Sequence, residues 1–328
     1  MIILRITSGL GNQMFQYAFY TLLKEKYKDT EVLCDTMWFH NNFEGREYEL
    51  EKIFSGVNGS LFEIKKASLS QIVNLSGKVP NIFDGKLGNV FDKCRRYINR
   101  VLKDTKLKNR RPYILEQYTE DALKDEMFFN KVMNLDTKKD WYITGFFIEE
   151  RFYSQVIDTI RKHLVFPVLS EEWNIEYADK INNCDSVSIH VRRGDYLSDI
   201  YKDKFLTLGR KYYEAAVKII RDEVKNRAQL EGRAANIKFF IFSDDSDFVN
   251  REFDWLENKI IITGNTGSLS YRDMQLMSMC KYNITANSTF SQWGALLNVC
   301  PSHLTVYPRK YMKDADNEVK SDNTWIMI

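Results

Sequence analysis

Apolar and polar positions alternate most regularly between residues 186 and 191, where Val187, Ile189 and Val191 are separated by Ser188 and His190. Period-two alternation predicts a half-buried strand, and Gly194 ends it. Downstream the pattern changes period repeatedly. Tyr213, Val217, Ile220 and Val224 line one face of a helix from about 209 to 225. A strand follows at 237–242, a short helix near 247–254 and a strand at 259–263. Ser270 and Asp273 have the spacing of a capping box, which predicts a helix from there to Cys280. A strand at 282–286, a helix at 289–297 and a strand at 304–307 complete the series. Strands alternating with helices require crossovers, so this half is predicted to be a doubly wound parallel sheet.

The amino-terminal half is less regular. Residues 1–7 read as a buried strand, then Ser8-Gly9-Leu10-Gly11-Asn12-Gln13 as a turn. Phe15, Ala18, Phe19, Leu22 and Leu23 then recur at helical spacing up to Lys26. Such a turn presents backbone N–H groups to a phosphate or a sugar hydroxyl. It is not a dinucleotide fingerprint, because Met14 occupies the position of the third glycine. Asn12 and Gln13 either bind sugar hydroxyls from a loop tip or cap the helix. Further strands are predicted at 31–35, 113–118 and 141–147, and a helix from Phe152 to Leu164. Pro167 and the polar stretch after it separate two hydrophobic blocks, giving domains of 1–170 and 171–328.

Composition narrows the class. The chain has 328 residues, 44% hydrophobic and 28% charged, with a formal net charge of +2. This fits a globular two-domain protein and argues against one built around nucleic-acid phosphates. Five scattered cysteines without CxxC spacing suggest neither a zinc site nor a disulfide framework, and a cytoplasmic protein is expected. No apolar run is long enough to span a membrane. One local excess of charge stands out. Residues 93–111 hold nine Lys and Arg against Asp104, with Phe91, Cys94, Ile98, Val101 and Leu102 in one stripe. This is a basic amphipathic helix, either packed on the core with a solvated outer face or in peripheral contact with an anionic membrane, at its inner face.

The chemistry gathers where the strands end, the side on which parallel sheets bind ligands. Arg192, Arg193 and Asp195 follow the first strand of the second half. Ser243, Asp244 and Asp245 follow the next, and Asn287, Ser288 and Thr289 open a helix after the fourth. Two permanent cations, free hydroxyls at a helix amino terminus and carboxylates suit a nucleoside diphosphate, with an aspartate on the nucleoside. Asp245-Ser246-Asp247 also matches a DxD pair, leaving magnesium or manganese as the alternative. The arginines argue against it, since they bring the positive charge an ion would supply.

Four segments carry a resemblance: SGLGNQMFQYA near the start, HVRRGDY at 190–196, FFIFSDD at 239–245 and LMSMCKYNITANSTFSQWGALLN at 276–298. In this order they resemble the alpha-1,2-fucosyltransferase family, glycosyltransferase family 11, over nearly the whole chain. Gly145 to Tyr153 is similar to a further family stretch. The chain departs from the pattern at Ser8, usually glycine, at Ile148 and Glu149, and at Gln292, which replaces the first of two tryptophans. The resemblance implies a GT-B-like α/β fold of two Rossmann-like domains, the carboxyl-terminal one binding GDP-fucose and the amino-terminal one serving the acceptor. It implies inverting transfer of fucose to the 2-hydroxyl of a terminal galactose on a glycan, with no cofactor and no obligatory metal. Arg192 and Arg193 would neutralise the departing phosphate, with Ser288 and Thr289 in support. Asp244 would hold the nucleoside beside Ser243 and Asn287. Gly11, Asn12 and Gln13 would touch a sugar. Asp195 is the first candidate for the base and His190 the second, against structural roles for both. The remaining readings are a transferase using another nucleotide sugar and a non-catalytic nucleotide-binding module.

Overall fold

The computed structural model describes residues 1–40, 42, 44–104, 113–115, 122–313 and 324–328. It divides into two compact units, Met1–Pro167 and Val168–Ile328. Each is built on a wholly parallel sheet. The fold is therefore α/β with two Rossmann-like units, as the GT-B-like reading expects.

The first unit contains, in order, β1 (Ile2–Arg5), α1 (Leu10–Lys26), β2 (Val32–Asp35), α2 (Leu50–Phe54), α3 (Leu69–Ser76) and α4 (Gly85–Asp104). It continues with β3 (Tyr113–Leu115), α5 (Ala122–Met133), β4 (Trp141–Thr144) and α6 (Ile157–His163). The sheet order is β2-β1-β4-β3. Helix α1 begins at Leu10, so Gly11, Asn12 and Gln13 form its first turn instead of a loop tip. It is buried on nearly every side, not along a single stripe. Two short 3₁₀ turns, Glu150–Phe152 and Ser154–Val156, replace the start of the helix expected from Phe152. Ser8 sits at φ 66°, the left-handed region that a glycine adopts without penalty. This gives a physical reason for the glycine usual there.

The expectation for the basic helix needs correction. Residues 93–104 continue α4, while 105–111 lie outside the described residues. Among its described side chains the helix does not seat the apolar stripe on the core: Cys94 and Ile98 are exposed, and Phe91 is only partly covered. The reason is that polar groups hold α4 in place. The Asn99 side chain exchanges hydrogen bonds with the Val79 backbone at 2.7 and 3.0 Å, and the Asn81 amide donates to the Gly88 carbonyl. Among the described residues no helix is long and apolar enough to cross a membrane.

The second unit contains α7 (Glu172–Asn182), β5 (Asp185–Val191), α8 (Arg210–Leu230), β6 (Ile237–Ser243), α9 (Ser246–Glu252) and β7 (Lys259–Ile261). After these come α10 (Tyr271–Met279), β8 (Tyr282–Ile284), α11 (Thr289–Leu296), β9 (Leu304–Tyr307) and β10 (Ile326–Met327). The sheet order β10-β9-β8-β5-β6-β7 makes it doubly wound, with the chain reversing direction across the sheet between β5 and β8. Strand β5 is buried at all seven positions, not half-buried. Val187, Ile189 and Val191 pack with Tyr213, Val217, Ile220 and Val224 of α8. On the opposite face the serines find partners inside: Ser188 Oγ accepts from Asn283 Nδ2 at 2.7 Å, and Ser186 Oγ from the Lys281 N–H at 3.1 Å. Hydrogen bonds of this kind let a parallel strand covered on both sides bury its serines.

The capping box at Ser270 is not formed. Ser270 is itself in a helical conformation and makes no cap bond, because a 3₁₀ turn at Gly267–Leu269 leads directly into α10. Asp273 turns inward and accepts from Asn265 Nδ2 at 2.8 Å.

Candidate functional site

The site residues of the second unit leave the carboxyl ends of three neighbouring strands, β8, β5 and β6. Val191 is in register with Ser243, so Arg192 emerges beside Asp244. The reversal of strand order between β5 and β8 opens the edge at this point, where doubly wound sheets take their ligands.

Arg192 is held at both ends of its guanidinium. Nη1 lies 2.9 Å from Asp244 Oδ2 and Nη2 lies 2.8 Å from Asp195 Oδ2. Burial works to lower its pKa, but Asp244 and Asp195 together raise it above the ordinary arginine value. Arg193 is arranged differently. Its backbone N–H donates to Asp244 Oδ1 at 2.9 Å, its Nε donates to Asp245 Oδ2 at 3.2 Å, and its guanidinium lies 3.6 Å from the centre of the Phe248 ring. Neither terminal nitrogen of Arg193 donates to another described residue. It therefore offers a planar pair of donors, the geometry that grips a phosphate in bidentate fashion.

Asp245 caps α9, accepting from the Phe248 N–H at 3.0 Å. That bond first, and Arg193 after it, hold the Asp245 carboxyl below the usual carboxylate range. Gly194 fits because it lacks a side chain: a Cβ there would stand 2.6 Å from Asp244 Oδ2. Across the reversal point, the Tyr196 hydroxyl donates to the Asn287 carbonyl at 2.6 Å and ties the loop after β5 to the loop after β8. Ser288 is the N-cap residue of α11, but its side chain makes no cap bond. Its hydroxyl and that of Thr289 make no hydrogen bond to a described side chain, so both stay available at the helix's positive end.

The structure thus brings Arg192, Arg193, Asp195 and Asp244 together, with Asn287, Ser288 and Thr289 between the adjoining strand β8 and the start of α11. Several expected roles change. Two guanidiniums face three carboxylates, so the arginines are charge-compensated and do not supply the surplus positive charge expected from the sequence. Ser243 spends its hydroxyl locally, accepting from the Asp245 N–H at 3.0 Å. Asn287 is buried, and its amide nitrogen is committed to the carbonyls of Leu206 and Tyr311 at 2.6 and 2.9 Å. His190 is buried, with no hydrogen-bond partner at Nδ1, so it is not the satisfied structural histidine of the alternative reading. Burial, with Arg192 adding to it, pushes its pKa down to about 3. At neutral pH it is an uncharged imidazole of low basicity, poorly suited to accept a proton. Asp195 touches Arg192, which favours its orienting role over that of the base. Gln292 is wholly buried in α11 and lines no open surface.

Sequence reasoning left out Tyr196 and Phe248, and it placed Asp245 at a strand end without its role as a cap and as the partner of Arg193. The cap could have been found from the position of Asp245 just before a short helix, where an aspartate caps. Nothing in the pattern marks Phe248 as the ring under Arg193. Asp245, the first acid of the DxD pair, is taken up by the α9 cap and Arg193. Among the described residues no group of three or more His, Cys, Asp or Glu could hold a metal ion.

In the first unit, Gln13 is buried and is not a sugar contact at a loop tip. Its amide donates to the carbonyls of Ser8 and Glu47, each at 2.8 Å, and accepts from the Glu49 N–H at 2.9 Å. Gln16, one turn on, accepts from the Thr7 N–H and donates to the Gly145 carbonyl at 2.8 Å. Gly11 is buried in the same turn, and Asn12 is partly exposed.

Compared with known proteins, the chain is a glycosyltransferase. The description "Glycosyl transferase family 11" matches residues 1–327, and the chain belongs to that family. It is 30% identical over 335 residues to an O-antigen biosynthesis glycosyltransferase of Escherichia coli, WbnK, covering 98% of this chain and 99% of the relative. It is 28% identical to an alpha-1,2-colitosyltransferase, also of Escherichia coli, covering 95% and 93%. Among solved structures it is similar to the fucosyltransferase NodZ from Bradyrhizobium, at 13% identity and a TM-score of 0.48, covering 90% of this chain and 92% of that one.

Proposed function

We propose that this glycosyltransferase moves L-fucose from GDP-fucose to the 2-hydroxyl of a terminal galactose, with inversion and without a metal. The second unit takes the nucleotide sugar and the first serves the acceptor. The observation that carries the reading is the pair of uncommitted terminal nitrogens on Arg193, in the loop after β5, while the amino terminus of α11 follows the neighbouring strand β8. As the glycosidic bond breaks, negative charge develops on the departing phosphate. Donors already fixed in place stabilise that charge more than they stabilise the bound substrate.

On this reading Arg193 is the catalytic contact. Arg192, locked between Asp195 and Asp244, is a positioning residue that keeps the loop after β5 in shape. The Ser288 and Thr289 hydroxyls and the first N–H groups of α11 share the phosphate. Metal independence is proposed because Asp245 is committed to the α9 cap and Arg193, which leaves the DxD pair incomplete as a ligand set.

Incubation with GDP-fucose and lactose, with the product linkage read by NMR, tests this reading. The expected product carries fucose on O2 of galactose, at a rate unchanged by EDTA. Turnover of a GDP-mannose or UDP-sugar donor without turnover of GDP-fucose would overturn the donor assignment. Nucleotide binding without turnover of any donor would point to the non-catalytic module. A second reading has a specific observation behind it, the 28% identity to an alpha-1,2-colitosyltransferase. Colitose lacks the 3-hydroxyl of fucose, so a higher kcat/KM with GDP-colitose than with GDP-fucose would move the assignment to the deoxy sugar.

A further inference from the structure

Helix α4 is attached through its polar side. Asn99 pairs with the Val79 backbone, Gly88 is buried and accepts from Asn81, and Arg95 and Arg96 close on Asp92. The opposite side carries the apolar residues. Leu87, Val90 and Tyr97 are 71%, 67% and 69% exposed, and Ile98 and the preceding Phe83 are each 42% exposed. With Cys94, itself exposed, the four helical ones fall within an arc of about 100° at the α-helical repeat. Burying such a strip is the ordinary role of an amphipathic helix, and here it faces outward.

The charges beside the strip indicate what it meets. Lys86, Lys93 and Arg100 recur every seven residues and form an exposed row along one margin of the apolar arc, next to Val90 and Tyr97. Six Lys and Arg stand in α4 against Asp92 and Asp104, and Asp92 is already paired. The whole chain carries a formal charge of only +2, so this excess is local. An apolar stripe edged by long cationic side chains, with an aromatic ring at the border, suits an interface where hydrocarbon meets negative headgroups. A second copy of the helix would set these cations against each other.

We propose that α4 is an interfacial element that lies flat on an anionic phospholipid bilayer. Leu87, Val90, Tyr97 and Ile98 enter the acyl boundary, and Lys86, Lys93 and Arg100 reach the headgroups. The full-length protein should co-sediment with vesicles of phosphatidylcholine mixed with phosphatidylglycerol, and not with phosphatidylcholine alone. Binding should weaken at least about tenfold as salt rises from low to physiological strength. Two variants separate the contributions: Leu87→Ser with Val90→Ser and Tyr97→Ser, and Lys86→Glu with Lys93→Glu and Arg100→Glu. Each should lose at least about tenfold in vesicle binding while keeping the wild-type circular dichroism and melting temperature, since all six side chains are exposed. Failure to bind anionic vesicles would overturn the proposal. So would wild-type binding by both variants. A concentration-dependent dimer that the serine variant abolishes, with no vesicle binding, would assign the strip to a second copy instead. None of these readouts depends on the sugar donor.

Discussion

The carboxyl edges of the two sheets solve the same geometric problem with different chemistry. In both, a strand leaves the sheet through a tight loop that must be fixed. In the first unit the fixing groups are neutral amides: Gln13 and Gln16 cross-brace the loops after β1 and β4 and the segment at 47–49 from inside the helix layer. In the second unit they are charged, with Arg192 and Arg193 set among Asp195, Asp244 and Asp245. Neutral bracing uses up its hydrogen-bonding capacity and leaves a rigid wall. The ionic arrangement cancels most of its charge yet keeps spare donors on Arg193, so the same edge is both held and able to bind. What separates the two edges is unfilled donor capacity and not net charge.

The sharpest test of this contrast is Arg193→Ala. It should lower kcat/KM about 10³-fold, the scale of losing a preorganised donor at a developing anion, with little change in melting temperature. Steady-state kinetics beside a thermal melt would read both. Gly194→Ala comes next. Its Cβ would collide with Asp244, which is pinned by two donors and cannot yield cheaply, so Arg192 loses its seat. A fall of about 10²-fold in kcat/KM is expected, with circular dichroism unchanged.

Gln13→Ala probes the other edge and should do the opposite. It strands the Glu49 N–H and two carbonyls, destabilising the first unit by about 2–3 kcal/mol in urea titration while folded enzyme retains its activity. The smallest effect contrasts carboxylates within the second unit. Those at the edge have arginine partners; partly buried Asp273 has Asn265, and desolvation pushes its pKa from 3.8 up to about 7. Between those values the folded protein holds a proton that the unfolded chain releases. The stability tied to that proton is complete below about pH 4 and is lost as pH rises through about 7. Asp273→Asn should remove this dependence, gaining about 2 kcal/mol over wild type at pH 8 and converging with it in acid, as followed by melting at several pH values.

Much of the second unit was legible because its strands and helices differ clearly in period, and because Arg192, Arg193, Asp244 and Ser288 fall just past strand ends. Partners were not legible. The Arg193 N–H meets Asp244 across 51 residues of chain, and no local pattern encodes that. Nor does periodicity reveal what covers a face. Alternation along β5 looks half-exposed until Asn283 and Lys281 close over its serines, and the stripe of α4 looks like core until Asn99 turns the helix around. Gln13 was misread for a related reason, since an amide near a glycine-rich turn serves equally as ligand contact or brace. Only the positions of Ser8, Glu47 and Glu49 decide.

The position of β5 in the strand order also bears on how the second unit assembles. Its neighbour on one side, β8, is supplied by chain 95 residues further on, as the Asn283–Ser188 hydrogen bond records. The pairing that creates the edge carrying Arg192 and Arg193 therefore closes a long loop, which places it on the slow side of folding by contact order. Until then β5 has one apolar face and an unpaired flank open to other chains. Slowing the synthesis or docking of β8 should thus show first as aggregation of nascent protein, before any loss of activity in the molecules that complete the sheet.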